Sequence, residues 1–395
     1  MYRRETRRGN NPLGDKIKNV LSLFNFKKRD GGKPDWYLFG LIMFLVIFGL
    51  IMLSSAGVAQ GWEKFHDPYF YVKHQFLAGV LPGLILCFIF AKIDYHKWKK
   101  YAPMLLFFSI ILLILVFIPG LGADWGTAKS WINVFGYSLQ PSEIVKLTFL
   151  LYLAAWLSSK EDHHLKDLQY GFIPFLAVLG VVAFLLVMEP DTGTMMIIVL
   201  MSLAVFFAAG GRLKHLSWLA LLGAGALFLL LKMSPYRADR FTTFLHPELD
   251  PLGKGYHINQ ALLAVGSGGI FGRGYGHSRQ KFAYLPEVTG DSIFAVAAEE
   301  LGFIVIVVII GVFLLLGLRC LKLAQKCEDN FGKLVVVGIT AWFIFQSFFN
   351  IGAMLGIMPL TGVTLPFVSY GGTSIMACLA AAGILLNISK QTKLN

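Results

Sequence analysis

Charge is scarce in this chain of 395 residues. Asp, Glu, Lys and Arg together make up only 15%, well below the ~25% of an ordinary soluble domain. Set against 56% hydrophobic residues, 34 Phe and a mean hydropathy of +0.64, that scarcity excludes a soluble cytoplasmic enzyme and a disordered chain. Cysteine is scarce as well. Cys87, Cys320, Cys327 and Cys378 fall in apolar runs or in a basic connection, which excludes a secreted disulfide scaffold. Cys320 and Cys327 have no Cys or His companion at zinc-ligand spacing. Acid is scarcer than base, 23 Asp plus Glu against 35 Lys plus Arg, a net +12. In so apolar a chain that excess points to the cytoplasmic flanks of membrane spans, not to a nucleic-acid surface. No GxxxxGK[ST] nucleotide loop is present, and no internal repeat is evident.

What the sequence does have is apolar runs, at 37–56, 74–91, 101–119, 142–158, 170–188, 192–210, 215–231, 292–317, 334–357 and 366–388. Most reach the ~17–25 residues that cross a bilayer as helix. Inside hydrocarbon the backbone must satisfy itself, so helix follows from physics as well as from pattern. The expected fold is an all-alpha polytopic membrane protein of about ten transmembrane helices. Every even-numbered exit is basic, as at Lys97, Lys99 and Lys100 or Arg319, Lys322 and Lys326. This places both termini in the cytoplasm. The predicted organisation is a basic cytoplasmic arm over 1–36, a transmembrane domain over 37–389 and a short cytoplasmic tail over 390–395.

One connection breaks the pattern. Residues 233–291, between the seventh and eighth spans, form a long extracellular loop rich in aromatics, with an apolar stretch from Ala261 to Val265. Loops of that length are usually functional or disordered, and this composition is enough to fold against the bundle. The loop carries Arg237, Arg240, Arg279 and Lys281, either a solvated face or a site for an anion such as pyrophosphate. Its glycines suit turns or close backbone approach to a bulky ligand. Asp291 closes the loop. It reads either as the cap of the eighth helix or as an acid or base tuned by Glu287 and the nearby cations. Glu299 and Glu300 follow ~12 Å deeper on the same helix, where ionisable groups are usually paired or functional.

Polar groups elsewhere in the spans have the same two-sided character. Glu143 and Lys146 stand three apart on one helix face, as a buried ion pair that fixes packing or as one wall of a cavity opposite Glu299. Asp191 suits the cap of the sixth helix. Lys129 lies on an aromatic outer edge with Trp125 and Trp131, placed to help hold a phosphate. Ser369 and Ser374 flank Gly371 and Gly372 near the bilayer, which favours a cavity lining over a lipid-facing surface.

The segments Gln140–Lys146, Pro190–Thr194, Gly255–Gly276, Gln280–Glu300 and Asn350–Ser374 together resemble the SEDS family of cell-wall glycosyltransferases, over about residues 35 to 389. Within it, Tyr284-Leu285-Pro286-Glu287, Asp291, Ile293-Phe294-Ala295 and the basic arm look more like the division branch than the rod-elongation branch. The resemblance implies a bundle in the bacterial inner membrane that polymerises lipid II, a disaccharide-pentapeptide on undecaprenyl pyrophosphate, on the extracytoplasmic side. It implies a class B penicillin-binding protein as crosslinking partner, further divisome or elongasome membrane proteins, and no nucleic acid.

By motif match the essential acid is Asp291, and the family's Glu-Lys pair falls on Glu143 and Lys146. The implied chemistry makes Asp291 the general base for the acceptor 4-hydroxyl, with cations meeting the leaving pyrophosphate. Lys129, Arg237, Arg240, Arg279 and Lys281 are the candidates. No protein metal site is expected, although a magnesium or manganese ion can share the pyrophosphate. Two departures stand out. Thr289-Gly290 replaces the family's His-Thr before the acid, and Lys129 replaces an arginine and its bidentate fork. The competing classes are a lipid II flippase, suited by ten spans and buried acids, and a division scaffold that has lost its chemistry.

Overall fold

The computed structural model describes residues 32–118, 122–125, 128–134, 137–212, 235–282 and 284–392, with separate positions between 214 and 232. Most of the basic arm, most of the seventh apolar run and the end of the tail lie outside the described residues.

The described apolar runs fold as helices. They are α1 (Trp36–Ala56), α2 (Phe70–Lys92), α3 (Ala102–Leu115), α4 (Pro141–Ser158), α5 (Leu168–Met188) and α6 (Thr192–Ala208). After the loop come α9 (Ile293–Lys326), α10 (Asn330–Met354) and α11 (Gly372–Gln391). Among the described residues α1, α2, α5, α9, α10 and α11 are long and apolar enough to cross a membrane, and α3 and α6 are shorter apolar helices. The chain is a multi-pass helical membrane protein. Asp35 starts α1 as its cap, accepting from the Tyr37 and Leu38 amides at 3.1 Å each, and Arg319 Nε reaches its other oxygen at 2.6 Å. A cap and a cation thus tie the start of α1 to the later part of α9. Helix α11 lies at the centre, buried over most of its length, while α2 packs on one side of it and turns its other side outward. Close approach there requires small residues: a Cβ on Gly383 would stand 2.4 Å from the Cys87 carbonyl oxygen.

Three features differ from the sequence expectation. Residues 122–139 hold a small antiparallel sheet, with strands β1 (Gly122–Trp125), β2 (Ala128–Val134) and β3 (Tyr137–Leu139) in that order, so the fold is not purely helical. The alternation around Ser130, Trp131, Ile132 and Asn133 is the strand signal. Ile132 and Ser130 face inward, and Ser130 Oγ donates to the Glu189 carbonyl at 2.8 Å. The last helix starts at Gly372 and not near 366, because Phe367 at φ 66° and the Ser369–Gly371 stretch interrupt the helical backbone. Helix α9 runs on to Lys326, past its predicted end, but is broken at Gly302, where φ is 77° and ψ is −180°.

The long connection before α9 is structured. It contains α7 (Pro235–Leu245), α8 (Tyr256–Ser267), which packs on α9 and α10, and a glycine-rich turn after it. The break in α9 and the glycines of the turn explain each other. The turn threads into the break, so that the Arg273 and Gly274 amides donate to the Glu299 and Glu300 carbonyls at 3.0 and 2.9 Å. Phe303 N returns a bond to Gly269 O at 2.9 Å. A Cβ on Gly272 would lie 2.2 Å from the Glu300 carbonyl oxygen. Here glycine serves backbone-to-backbone contact within the protein.

Candidate active site

Asp291 ends the loop one residue before the cap of α9. The turn that delivers it is tight. Glu287, at φ 49°, accepts from the Gly290 amide at 3.0 Å and from the Ser292 amide at 3.2 Å. The turn is pinned from two sides, by Tyr370 N donating to Thr289 O at 2.9 Å and by Asn350 Nδ2 donating to the Asp291 carbonyl at 2.8 Å. Asp291 is half-buried. Burial first and the Glu287 charge second push its carboxyl up to about 7, against the opposing pull of its own amide, Arg240 and Ser292. A carboxyl near neutrality can both take and release a proton at physiological pH. Asp291 does not cap α9 with its side chain, since no side-chain cap bond forms at that helix start.

The predicted cations separate. Arg240, on α7, lies close enough for its charge to act on both Asp291 and His257, and its Nη1 donates to the Leu360 carbonyl at 3.1 Å. Arg279 is exposed on the loop, and its amide holds Glu299 Oε1 at 3.1 Å. Lys281 is buried, with Nζ 2.9 Å from Glu300 Oε1, 2.9 Å from Ser55 Oγ and 2.7 Å from the Gly276 carbonyl. It is engaged inside the protein, where a pyrophosphate cation would need to face the substrate. Lys129 and Arg237 fall in β2 and α7, and their side chains lie outside the described residues.

Glu299 and Glu300 are both fully enclosed. Glu299 accepts from Ser278 Oγ and from the Arg279 and Gln280 amides, and Glu300 accepts from Ser55, Ser278 and Lys281. These acids clamp the 276–281 loop and α1 onto α9 next to its break. Glu299 therefore does not wall a cavity with Glu143 and Lys146.

That pair forms its own network. Lys146 Nζ is 2.8 Å from Glu143 Oε1 and 2.7 Å from Gln346 Oε1, and Trp342 Nε1 donates to the same Gln346 oxygen. Gln346 Nε2 donates to the Thr364 carbonyl at 2.8 Å, and Thr364 Oγ1 pairs with Ser374 Oγ at 3.0 Å. Trp342, Gln346 and Asn350 recur every four residues along one face of α10. That face links the buried pair to the Asp291 turn, because Asn350 also donates to Val363 O at 2.8 Å. Ser369 is internal to the connection, with Oγ accepting from Leu365 N at 2.8 Å and its carbonyl accepting from Gln75. Asp191 caps α6 by accepting from Thr194 N at 3.0 Å, and it also accepts from Ser142 at 2.9 Å.

Sequence reasoning missed His257, Ser292, Gln346 and Asn350. The contacts of His257 with Ser292, Asn350 with Asp291 and Gln346 with Lys146 span 35, 59 and 200 residues, which no local spacing encodes. A cavity of about 440 Å³ opens beside the Asp291 turn. It is lined by Gln60, Glu63, Lys64, Tyr256, Tyr284 and Pro286 among others, within the usual size range of ligand sites. Among the described residues no three His, Cys, Asp or Glu gather as metal ligands.

Fold and site together define a polytopic membrane protein with a tuned carboxylate at the loop end of a broken spanning helix. Comparison with known proteins gives the class its name. A family model described as cell cycle protein, for the FtsW, RodA and SpoVE proteins, matches residues 35–394, and the chain belongs to that family. Stage V sporulation protein E of Bacillus subtilis is 41% identical over 361 residues, covering 91% of this chain and 98% of that protein. A probable peptidoglycan glycosyltransferase FtsW of Trichlorobacter lovleyi is 39% identical over 360 residues, covering 91% and 94%. Among solved structures, a chain from a peptidoglycan synthase complex that coordinates polymerization and crosslinking superposes with a TM-score of 0.74 at 29% identity, covering 90% of this chain and 97% of that one. The rod shape determining protein RodA of Thermus thermophilus gives 0.67 at 29% identity, covering 91% and 98%.

Proposed function

We propose that this chain is a peptidoglycan glycosyltransferase of the bacterial inner membrane. It polymerises lipid II into glycan strands, with Asp291 as the general base. The observation that carries the reading is the Asp291 carboxyl, half-buried, raised to about 7 and close to Arg240, in a chain whose relatives include named peptidoglycan glycosyltransferases. The acceptor 4-hydroxyl gives its proton to Asp291 as its oxygen bonds to the donor's anomeric carbon. The bond from that carbon to the pyrophosphate oxygen breaks, and the electron pair leaves with undecaprenyl pyrophosphate. The sugar inverts at that carbon. Arg240 meets the leaving charge, with Arg279 the next candidate by exposure, and the neighbouring cavity has room for sugar rings.

Ten spans, cytoplasmic termini and an extracytoplasmic site form the arrangement supported by the basic even-numbered exits. The partner is a crosslinking enzyme of the class B penicillin-binding type, supported by the likeness to a chain of a synthase complex. The resemblance to FtsW relatives favours septal wall synthesis. The test is polymerisation of purified lipid II in liposomes, with and without that partner. Asp291→Asn should lower the rate at least ~100-fold, the usual contribution of a general base, while lipid II binding is retained. Equal polymer from both proteins removes Asp291 as base. If an active control polymerises while this chain only moves lipid II across the bilayer, the chain is a flippase.

A further inference from the structure

We propose that His257 and Ser292 form a positioning pair for Asp291, in which the imidazole aims the serine hydroxyl at the carboxylate. The proposal rests on the reading of Asp291 as base. His257 Nε2 lies 2.7 Å from Ser292 Oγ, and that Oγ lies 3.5 Å from Asp291 Oδ1. Ser292 has no exposed surface, so the protein groups around its hydroxyl set its direction. The second contact is long for a hydrogen bond, as catalytic bonds often are before substrate tightens the site.

The direction of the bonds follows from the acceptor at the end of the chain. Ionised Asp291 only accepts, so the Ser292 proton points to it. Ser292 Oγ then accepts from His257, and Nε2 carries the ring hydrogen. Burial and the Arg240 charge hold His257 down at about 4. Imidazole therefore stays neutral wherever the enzyme works and does not take the proton onward. The proton from the acceptor hydroxyl stops on Asp291, and His257 acts only through orientation. Among the described residues the other charged groups facing Asp291 are Glu287 on its own turn and Arg240 on α7. Asn350 of α10 donates its Nδ2 to the Asp291 backbone carbonyl. Behind Thr289 lie Tyr370 and its hydroxyl partner, His74 of α2.

A hydroxyl that donates to the carboxylate favours the ionised form. Removing it moves the pH at which the base becomes competent upward. One hydrogen bond corresponds to about half to one pH unit. The experiment is kcat for lipid II polymerisation against pH, between about 5.5 and 9. It compares wild type with Ser292→Ala, His257→Phe and the conservative Ser292→Thr and His257→Gln, with thermal unfolding and lipid II binding measured on each. The expected result is an acid limb shifted up by about half to one unit in Ser292→Ala and His257→Phe. Near pH 7 this is a loss of about threefold, with rates converging on wild type at high pH. The conservative variants, which keep a donor at the same place, return the limb toward its wild-type position. An unmoved limb, or a loss equal at every pH, overturns the pair. Asp291→Asn separates the two levels of the argument. Activity in that variant removes the base itself. A dead Asp291→Asn with an unmoved limb in Ser292→Ala removes only the positioning pair.

Discussion

Replacing Lys281 by Met separates two roles for this cation. Its Nζ stands 2.9 Å from Glu300 Oε1, with the two side chains 3% and 0% exposed. At that distance the gross attraction is about 6 kcal/mol for an effective dielectric of about 20. The substitution leaves Glu300 charged in the interior, with Ser55 Oγ at 2.6 and 2.8 Å and the Ser278 amide at 3.3 Å as remaining donors. Those bonds offset part of the loss, so the expected cost is about 3 kcal/mol, the low end for removing one partner of a buried pair. Lys254 is the control. Its Nζ is closer to its acid, 2.7 Å from Asp239 Oδ2, but the side chains are 60% and 43% exposed. Lys254→Met should cost less than about 1 kcal/mol, since burial and not distance decides the difference. Unfolding of the detergent-solubilised protein reads both, alongside lipid II binding. Adding Glu300→Gln to Lys281→Met should recover at least half of the lost stability. A Lys281→Met protein that unfolds like Lys254→Met yet binds lipid II about tenfold more weakly would refute the structural role. In that case the ammonium serves the pyrophosphate after all.

Gly272→Ala places a Cβ 2.2 Å from the Glu300 carbonyl oxygen at a φ of 78°, so two backbones must part. It should cost about 2–5 kcal/mol. Gly362→Ala, at φ 71° in open space, should cost only about 1–2 kcal/mol, and the same unfolding assay tells them apart. Glu189 has no exposed surface, and both its carboxylate oxygens lack partners among the described residues; burial and then the Asp191 charge push it up to about 9. The folded state therefore holds this proton, and its contribution to stability is full below the ordinary value of 4.5 and lost as pH rises through about 9. Glu189→Gln should match wild type near about pH 4 and lose less stability as pH rises from about 5 to 9. Parallel losses in both proteins would sink that account.

The multi-pass helical plan was legible in the residues, because a chain with so few charges and so many apolar runs has one way to satisfy its backbone in a bilayer. The Asp191 cap was legible too, since capping is local and depends on residues three apart. So was the Glu143–Lys146 pair, on one helix face at the same spacing. Asp291 stood out because an acid at the mouth of a spanning helix, beside Glu287, is costly enough to need a reason. What only the tertiary structure decided lies at longer range. Lys281 reads as a surface cation until Glu300 and Ser55, the latter 226 residues away, enclose it. The glycine-rich turn reads as a ligand loop until it threads the break at Gly302. His257 reads as an ordinary loop residue until folding sets it 2.7 Å from Ser292. Periodicity records which side of a helix avoids water, and it holds no information about which buried donor meets which buried acceptor. That choice is made when the low dielectric of the packed interior makes every unpaired polar group costly.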